Sequence, residues 1–232
     1  MKRIVYTIVA AMLVAATSIK ASAQSDESRS VSGFNGIGSG GPFDVHVKID
    51  GTESLKIKAS QEAIKEIDTY VKDGKLQIKF KHHDRWNDHD FGRIDIYITA
   101  KSLSSLANAG SGSIKVDGSI TGDATVALSG SGNISTSVKA SRFHVAISGS
   151  GSVDLSGTAN ETKVSIAGSG DMNGKRFKTA TANVSIAGSG NAHFGADKTV
   201  SATIVGSGNV YYSGSATVEN TRTVGSGRVT RE

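Results

Sequence analysis

Val164-Ser165-Ile166-Ala167-Gly168-Ser169-Gly170-Asp171-Met172 returns almost unchanged as Val184-Ser185-Ile186-Ala187-Gly188-Ser189-Gly190-Asn191-Ala192. The Gly-Ser-Gly at its centre occurs seven times in the C-terminal half, starting at Gly110, Gly130, Gly149, Gly168, Gly188, Gly206 and Gly225. The steps are 20, 19, 19, 20, 18 and 19 residues. Self-similarity at a fixed period marks a repeat architecture. Four residues after each first glycine stand Ile114, Ile134, Val153, Met172, Ala192, Val210 and Val229. Six after it stand Val116, Thr136, Leu155, Gly174, Phe194 and Tyr212. Leu128, Ile147, Ile166, Ile186 and Ile204 lie two residues ahead of a tripeptide, with Val126, Val145, Val164 and Val184 four ahead. Polar residues fill most gaps, which is the period-2 alternation of half-buried strands. A flexible Gly-Ser linker has no use for these fixed apolar offsets.

Each repeat therefore reads as strand, connection, strand and a Gly-Ser-Gly corner, and the whole as an all-β parallel β-solenoid (β-helix) of about six coils of 18–20 residues. At about 4.8 Å per rung, six coils rise roughly 30 Å. Corners need positive φ and close approach of stacked chains, both of which glycine supplies. The expected structural corners are the first glycines above together with Gly112, Gly132, Gly151, Gly170, Gly190, Gly208 and Gly227. The residue after each corner (Ser113, Asn133, Ser152, Asp171, Asn191, Asn209, Arg228) is positioned to form a polar ladder. Thr223 replaces the expected Ile in the last repeat, and Val218 and Val224 suggest a slipped register there. The charged end Arg228–Glu232 blunts an exposed edge.

Residues 31–109 lack the period but still alternate. Phe43, Val45, Val47 and Ile49, an Asp50-Gly51 turn, then Leu55, Ile57 and Ala59 predict a hairpin. Gln61 to Ile67 predicts a short helix. Val71, Asp73-Gly74, Leu76, Ile78 and Phe80 predict a second hairpin, and Ile94, Ile96 and Ile98 one more strand. This part reads as irregular larger coils or a cap on the rod, so 31–232 is one domain divided into 31–109 and 110–232. Residues 24–30 read as a flexible lead-in. Residues 1–23 read as a secretory signal peptide: Lys2 and Arg3, the apolar run Ile4 to Ala16, and Ala21-Ser22-Ala23 before Gln24. No later stretch has the length of a spanning helix.

Without Lys2, Arg3 and Lys20 the chain keeps 23 basic against 21 acidic residues, so the pI near 9.3 is no argument for nucleic acid. Cysteine is absent, which removes disulfides, thiolate metal sites and lipidation at cysteine. Export to a bacterial periplasm, outer-membrane surface or exterior follows.

These residues carry a resemblance. Arg29-Ser30-Val31-Ser32-Gly33-Phe34-Asn35-Gly36-Ile37, Gly41-Pro42-Phe43-Asp44-Val45, Val71-Lys72-Asp73-Gly74-Lys75-Leu76 and the Gly-Ser-Gly series together resemble the "putative auto-transporter adhesin, head GIN domain" family, frequent in Bacteroidota, over about residues 29–227. The resemblance implies a β-helical fold and a role in adhesion. It supplies no catalytic or binding residues, and the chain has no room for a translocator barrel.

The densest polar cluster, Lys81-His82-His83-Asp84-Arg85-Trp86-Asn87-Asp88-His89-Asp90, matches no metal-ligand spacing. It reads as a solvated hairpin loop with Trp86 as a partner contact. A calcium β-roll would need an aspartate in nearly every short repeat, and only Asp171 directly follows a corner. A glycoside hydrolase needs two carboxylates about 5–10 Å apart. Asp123, Glu161 and Glu219 fall at similar offsets but in the first, third and sixth repeats, and the second repeat has no acid. Phe194 and Tyr212 point inward by alternation, whereas Tyr211 points outward and is the second candidate contact.

The reading is an exported, non-catalytic binding protein of adhesin type without metal or cofactor. It engages a protein or glycan at the cell surface, and self-association is compatible with it. A periplasmic scaffold is the alternative, and a polysaccharide-active enzyme the third.

Overall fold

The computed structural model describes residues 24–81 and 91–232. They form a parallel β-solenoid in which sixteen strands belong to one continuous sheet system. The repeat part consists of β9 (Ser113–Gly130), β10 (Asn133–Gly149), β11 (Ser152–Gly168), β12 (Asp171–Gly188) and β13 (Asn191–Gly206). It closes with β14 (Asn209–Ser213), β15 (Thr217–Gly225) and β16 (Arg228–Arg231). Each long strand pairs in parallel with the next, so corresponding residues of successive repeats stack in columns.

The segment read as a connection is itself laddered. Val138, Lys139 and Ala140 pair with Gly157, Thr158 and Ala159. Bends are absorbed by register shifts, for example between Ala140 and Arg142, not by loops. The reason is satisfaction of backbone groups: a stacked bend keeps every N–H and C=O beside a partner on the next rung.

Inward columns make the core. Ile114, Ile134, Val153, Met172, Ala192 and Val210 are buried in one. Val126, Val145, Val164, Val184 and Ala202 fill a second, and Leu128, Ile147, Ile166, Ile186 and Ile204 a third. Burying a Val or Ile side chain is worth roughly 1.5–3 kcal/mol, and each coil contributes several.

The N-terminal part is interleaved, not stacked in chain order. Its strands are β1 (Ser25–Arg29), β2 (Gly36–Gly40), β3 (Asp44–Ile49), β4 (Ser54–Ala59), β5 (Ile67–Lys72), β6 (Lys75–Phe80), β7 (Asp95–Ala100) and β8 (Ser105–Gly110). One side of the rod runs β5-β6-β2-β8-β9, the other β1-β4-β7-β3-β9. The β2–β3 rung thus lies between the β6–β7 rung and the β8–β9 rung.

Two hairpin expectations fail in consequence. β3 and β4 do not pair, because β7 inserts between them, parallel to β3 and antiparallel to β4. Asp50-Gly51 turns the chain, but Val45 and Val47 pair with Ile96 and Ile98, and Leu55 and Ile57 lie on the far side of these. Likewise β6 and β7 are two sides of one rung and not a hairpin across residues 81–90. The β5–β6 hairpin does form, over Asp73 (φ +51°) and Gly74 (φ +70°). Helix α1 (Gln61–Glu66) forms with Ser60 as its N-cap and buries Ala63 and Ile64.

Residues 25–29 are not a flexible lead. They form β1, antiparallel to β4. The cause is invisible to apolar alternation, for the strand is polar and is pinned by Arg29. Its guanidinium donates to Ile64 O at 3.0 Å, Ile67 O at 2.8 Å and Thr69 Oγ1 at 3.1 Å. At the other end, every residue of β15 is exposed. Thr223 pairs in register with Ile204, and the irregularity expected in this coil is a bulge at Glu219.

Candidate binding faces

The corners are held by stacked backbone. Ser189 N donates to Gly168 O at 2.9 Å and Ser207 N to Gly188 O at 2.9 Å. At Gly190 a Cβ would stand 2.1 Å from Gly170 O, closer than real Cβ atoms come, so the rungs can meet at this spacing only without a side chain. Gly168 combines φ +115° with a would-be contact of 2.5 Å to Gly149 O.

Beside the corners runs the polar ladder. Ser152 Oγ donates to Asn133 Oδ1 at 2.8 Å, Asn191 Nδ2 to Asp171 Oδ1 at 2.9 Å, and Asn209 Nδ2 to Asn191 Oδ1 at 3.1 Å. Asn191 and Asn209 each donate down the stack through Nδ2 and accept from the next rung through Oδ1, which satisfies both ends.

Two positions further along each strand lies an outward column. Tyr97 pairs with His46, His46 with Lys115, and the line continues through Ser135, Asp154 and Asn173 to His193 and Tyr211. A stacked imidazole–phenol pair stands towards each end, with Lys56 next beyond Tyr97 and Thr230 next beyond Tyr211. His46 and Tyr97 have ring centroids 5.0 Å apart at 19°, and His193 and Tyr211 lie 4.5 Å apart at 14°. His46 and His193 are five rungs apart, about 24 Å.

The first pair is braced from beneath. His46 Nε2 lies 3.2 Å from Asp95 Oδ1, and Arg93 Nη2 reaches the same oxygen at 2.9 Å. Asp95 is buried while Tyr97 stays 43% exposed. The arrangement presents the flat, partly exposed ring of Tyr97 on a braced imidazole, a form in which aromatic side chains serve contact surfaces.

Of the two aromatic contacts read from the sequence, Tyr211 is half-buried on this column, flat against His193. Trp86, with residues 82–90, lies outside the described residues. Phe194 and Tyr212 are buried. Tyr97, His46 and His193 were not singled out from the sequence. Alternation puts Tyr97 outward between Ile96 and Ile98, but its column is set by the interleaved N-terminal rungs.

Of the three acids at similar offsets, two come together. Asp123 and Glu161 share a column, with Arg142 on the rung between them. Arg142 Nε donates to Asp123 Oδ1 at 3.2 Å and holds that carboxyl below its usual range, while its own pKa is raised. Glu219 falls outside the column, at the bulge in β15. A general acid needs a raised pKa, the reverse of what Arg142 imposes.

The profile of the family described as "Putative auto-transporter adhesin, head GIN domain" matches residues 33–216. The chain belongs to that family. Solved structures share its fold. A putative adhesin from Bacteroides fragilis superposes with a TM-score of 0.81 at 22% identity, covering 90% of this chain and 97% of that one. A putative adhesin from Parabacteroides merdae gives 0.70 at 22%, covering 90% and 96%. A putative lipid binding protein from Parabacteroides distasonis gives 0.67 at 21%, covering 90% and 96%. Comparison with curated proteins finds no match. No helix among the described residues is long and apolar enough to cross a membrane.

Proposed function

We propose that this adhesin-family chain is an exported, non-catalytic binding module. It presents its solenoid at the cell surface and engages a protein or glycan there through the outward column that carries Tyr97–His46 and His193–Tyr211. The observation that carries the reading is this column: two flat ring pairs, one towards each end of a polar line, on a rod whose family is adhesin-like. Stacked coils give repeated, similarly spaced contacts, and several weak contacts on one rigid body add as avidity. The names of the two putative adhesins among the structural neighbours support such a role, and the third is named a putative lipid binding protein.

The test is protease shaving of intact cells with detection of the exported chain, a periplasmic protein serving as control. Loss of the chain while the control survives is the expected result, and mass spectrometry of the exported material should start at Gln24. Persistence until the outer membrane is breached sinks the surface reading and leaves a scaffold within the envelope.

A further inference from the structure

The surplus length of the fourth repeat is concentrated at one place. Against β13, the β12 register jumps between Gly174 and Lys178 while its partner advances only from Phe194 to Gly195. Three residues, Lys175, Arg176 and Phe177, are extra. Phe177 turns inward, is fully buried and packs on Phe143 with centroids 5.5 Å apart. The bulge is therefore anchored, and it holds Lys175, Arg176 and Lys178 exposed.

The register adds a fourth cation. Lys139 pairs with Thr158 and Thr158 with Lys178, so two ammonium-bearing rungs flank a hydroxyl, about 10 Å apart. In the neighbouring column Ser137, Ser156 and Arg176 align. Segments 135–141, 155–160 and 174–180 contain these four cations and no carboxylate. Asp154 and Glu161 border the patch on β11, and Asp197 lies on the next rung. Among the described residues none of the four cations makes an ion pair, whereas Arg29, Arg93, Lys101 and Arg142 all do. Like charges gathered on a rigid sheet repel one another, and an anion relieves that repulsion.

We propose that this patch binds an acidic polysaccharide, its carboxylate or sulfate groups meeting Lys139, Lys175, Arg176 and Lys178 and its hydroxyls meeting Ser137, Ser156 and Thr158. The surroundings select the occupant. A bilayer surface calls for apolar side chains to insert beside the charges, but among the described residues the exposed large apolar ones, Tyr97, Val205, Val218 and Val224, lie on other segments. An acidic peptide calls for a free strand edge or side-chain pockets, and β10, β11 and β12 are paired on both sides. A hydroxyl-lined, cationic face without apolar inserts or a free strand edge suits a sugar chain.

The inference rests on the reading of the chain as a binding module, but its test is independent of location. The purified exported chain is titrated with heparin (sulfated) and polygalacturonate (carboxylated), with dextran, polyglutamate and anionic phosphatidylglycerol vesicles as comparisons. Binding to an acidic polysaccharide that falls as salt rises is expected. K139Q/R176Q/K178Q should weaken it by about tenfold, the sum of three modest surface contacts. R222Q/R228Q/R231Q removes the same charge at the rod's end and should leave binding unchanged. Equal loss in both triples would reduce the effect to net charge and overturn the site. Preference for polyglutamate or vesicles, or binding unaffected in the first triple, would overturn the ligand or the patch. Cell shaving can fail while this succeeds, and the reverse.

Discussion

Gly190→Ala isolates the close approach of rungs from the backbone conformation, because Gly190 is not at positive φ. Its new Cβ would lie 2.1 Å from Gly170 O and 2.8 Å from Ile166 Cγ2, against a practical minimum of 3.0 Å. The rungs must part locally by about 0.9 Å. Ser189 N and Gly190 N both donate to Gly168 O across that gap, at 2.9 and 3.2 Å, and both bonds are lost on such a displacement. At about 1 kcal/mol per hydrogen bond, plus poorer packing of Ile166, the cost is about 3 kcal/mol. Two controls bracket this. Gly122 has φ +82° but open space around its Cβ position, so Gly122→Ala pays only conformational strain, about 1 kcal/mol. Gly227→Ala meets the same clash, 2.2 Å to Gly208 O, but on the last rung, which moves without displacing a further one, so its cost should be about 1 kcal/mol. Urea unfolding followed by far-UV circular dichroism, at unchanged m-value, gives the three numbers. If Gly190→Ala costs no more than Gly122→Ala, backbone contact is not what the second glycine of the corner provides.

Further outcomes follow from other parts of the rod. Phe177→Ala empties a buried ring site against Phe143 and should cost about 3–5 kcal/mol in the same unfolding assay. Asn191→Asp sets a carboxylate above Asp171 in the polar ladder; stability should fall at pH 7 and recover as the pair is protonated, and an unfolding midpoint that ignores pH would refute the ladder as an energetic unit. Glu53 accepts from Lys101 Nζ at 2.9 Å and Gly33 N at 2.9 Å, and these bonds, Lys101 foremost, lower its pKa from 4.5. A depressed folded pKa contributes stability above the unfolded value and loses it as pH falls through the folded one. Glu53→Gln should therefore flatten the decline of the urea midpoint below about pH 4.5, and an unaltered decline would remove Glu53 from that role.

How far the chain could be read in advance depended on the range of the interactions. A column such as Val145–Val164–Val184 is announced locally, since each member carries the same offset from its own Gly-Ser-Gly and parallel stacking repeats one register. Tyr211 outward and Tyr212 inward followed from alternation alone. The same logic misread Phe43–Ala59, where a turn between two alternating runs predicts a hairpin. There the pairing choice lay with β7, about fifty residues further on, and depended on which strands bury the most apolar surface together. The polar strand β1 was missed because its determinant is one arginine reaching carbonyls that alternation does not see.

The sequence by itself determined the period, the inward columns, the corners and the family, because these are encoded within one coil and repeated. Only the tertiary structure decided that β2–β3 lies between later rungs, that Tyr97 and Tyr211 share a column, and that Lys139 joins Arg176 and Lys178. Those facts depend on register between segments distant in the chain, and register is settled by the packing of whole rungs and not by any residue's neighbours in sequence.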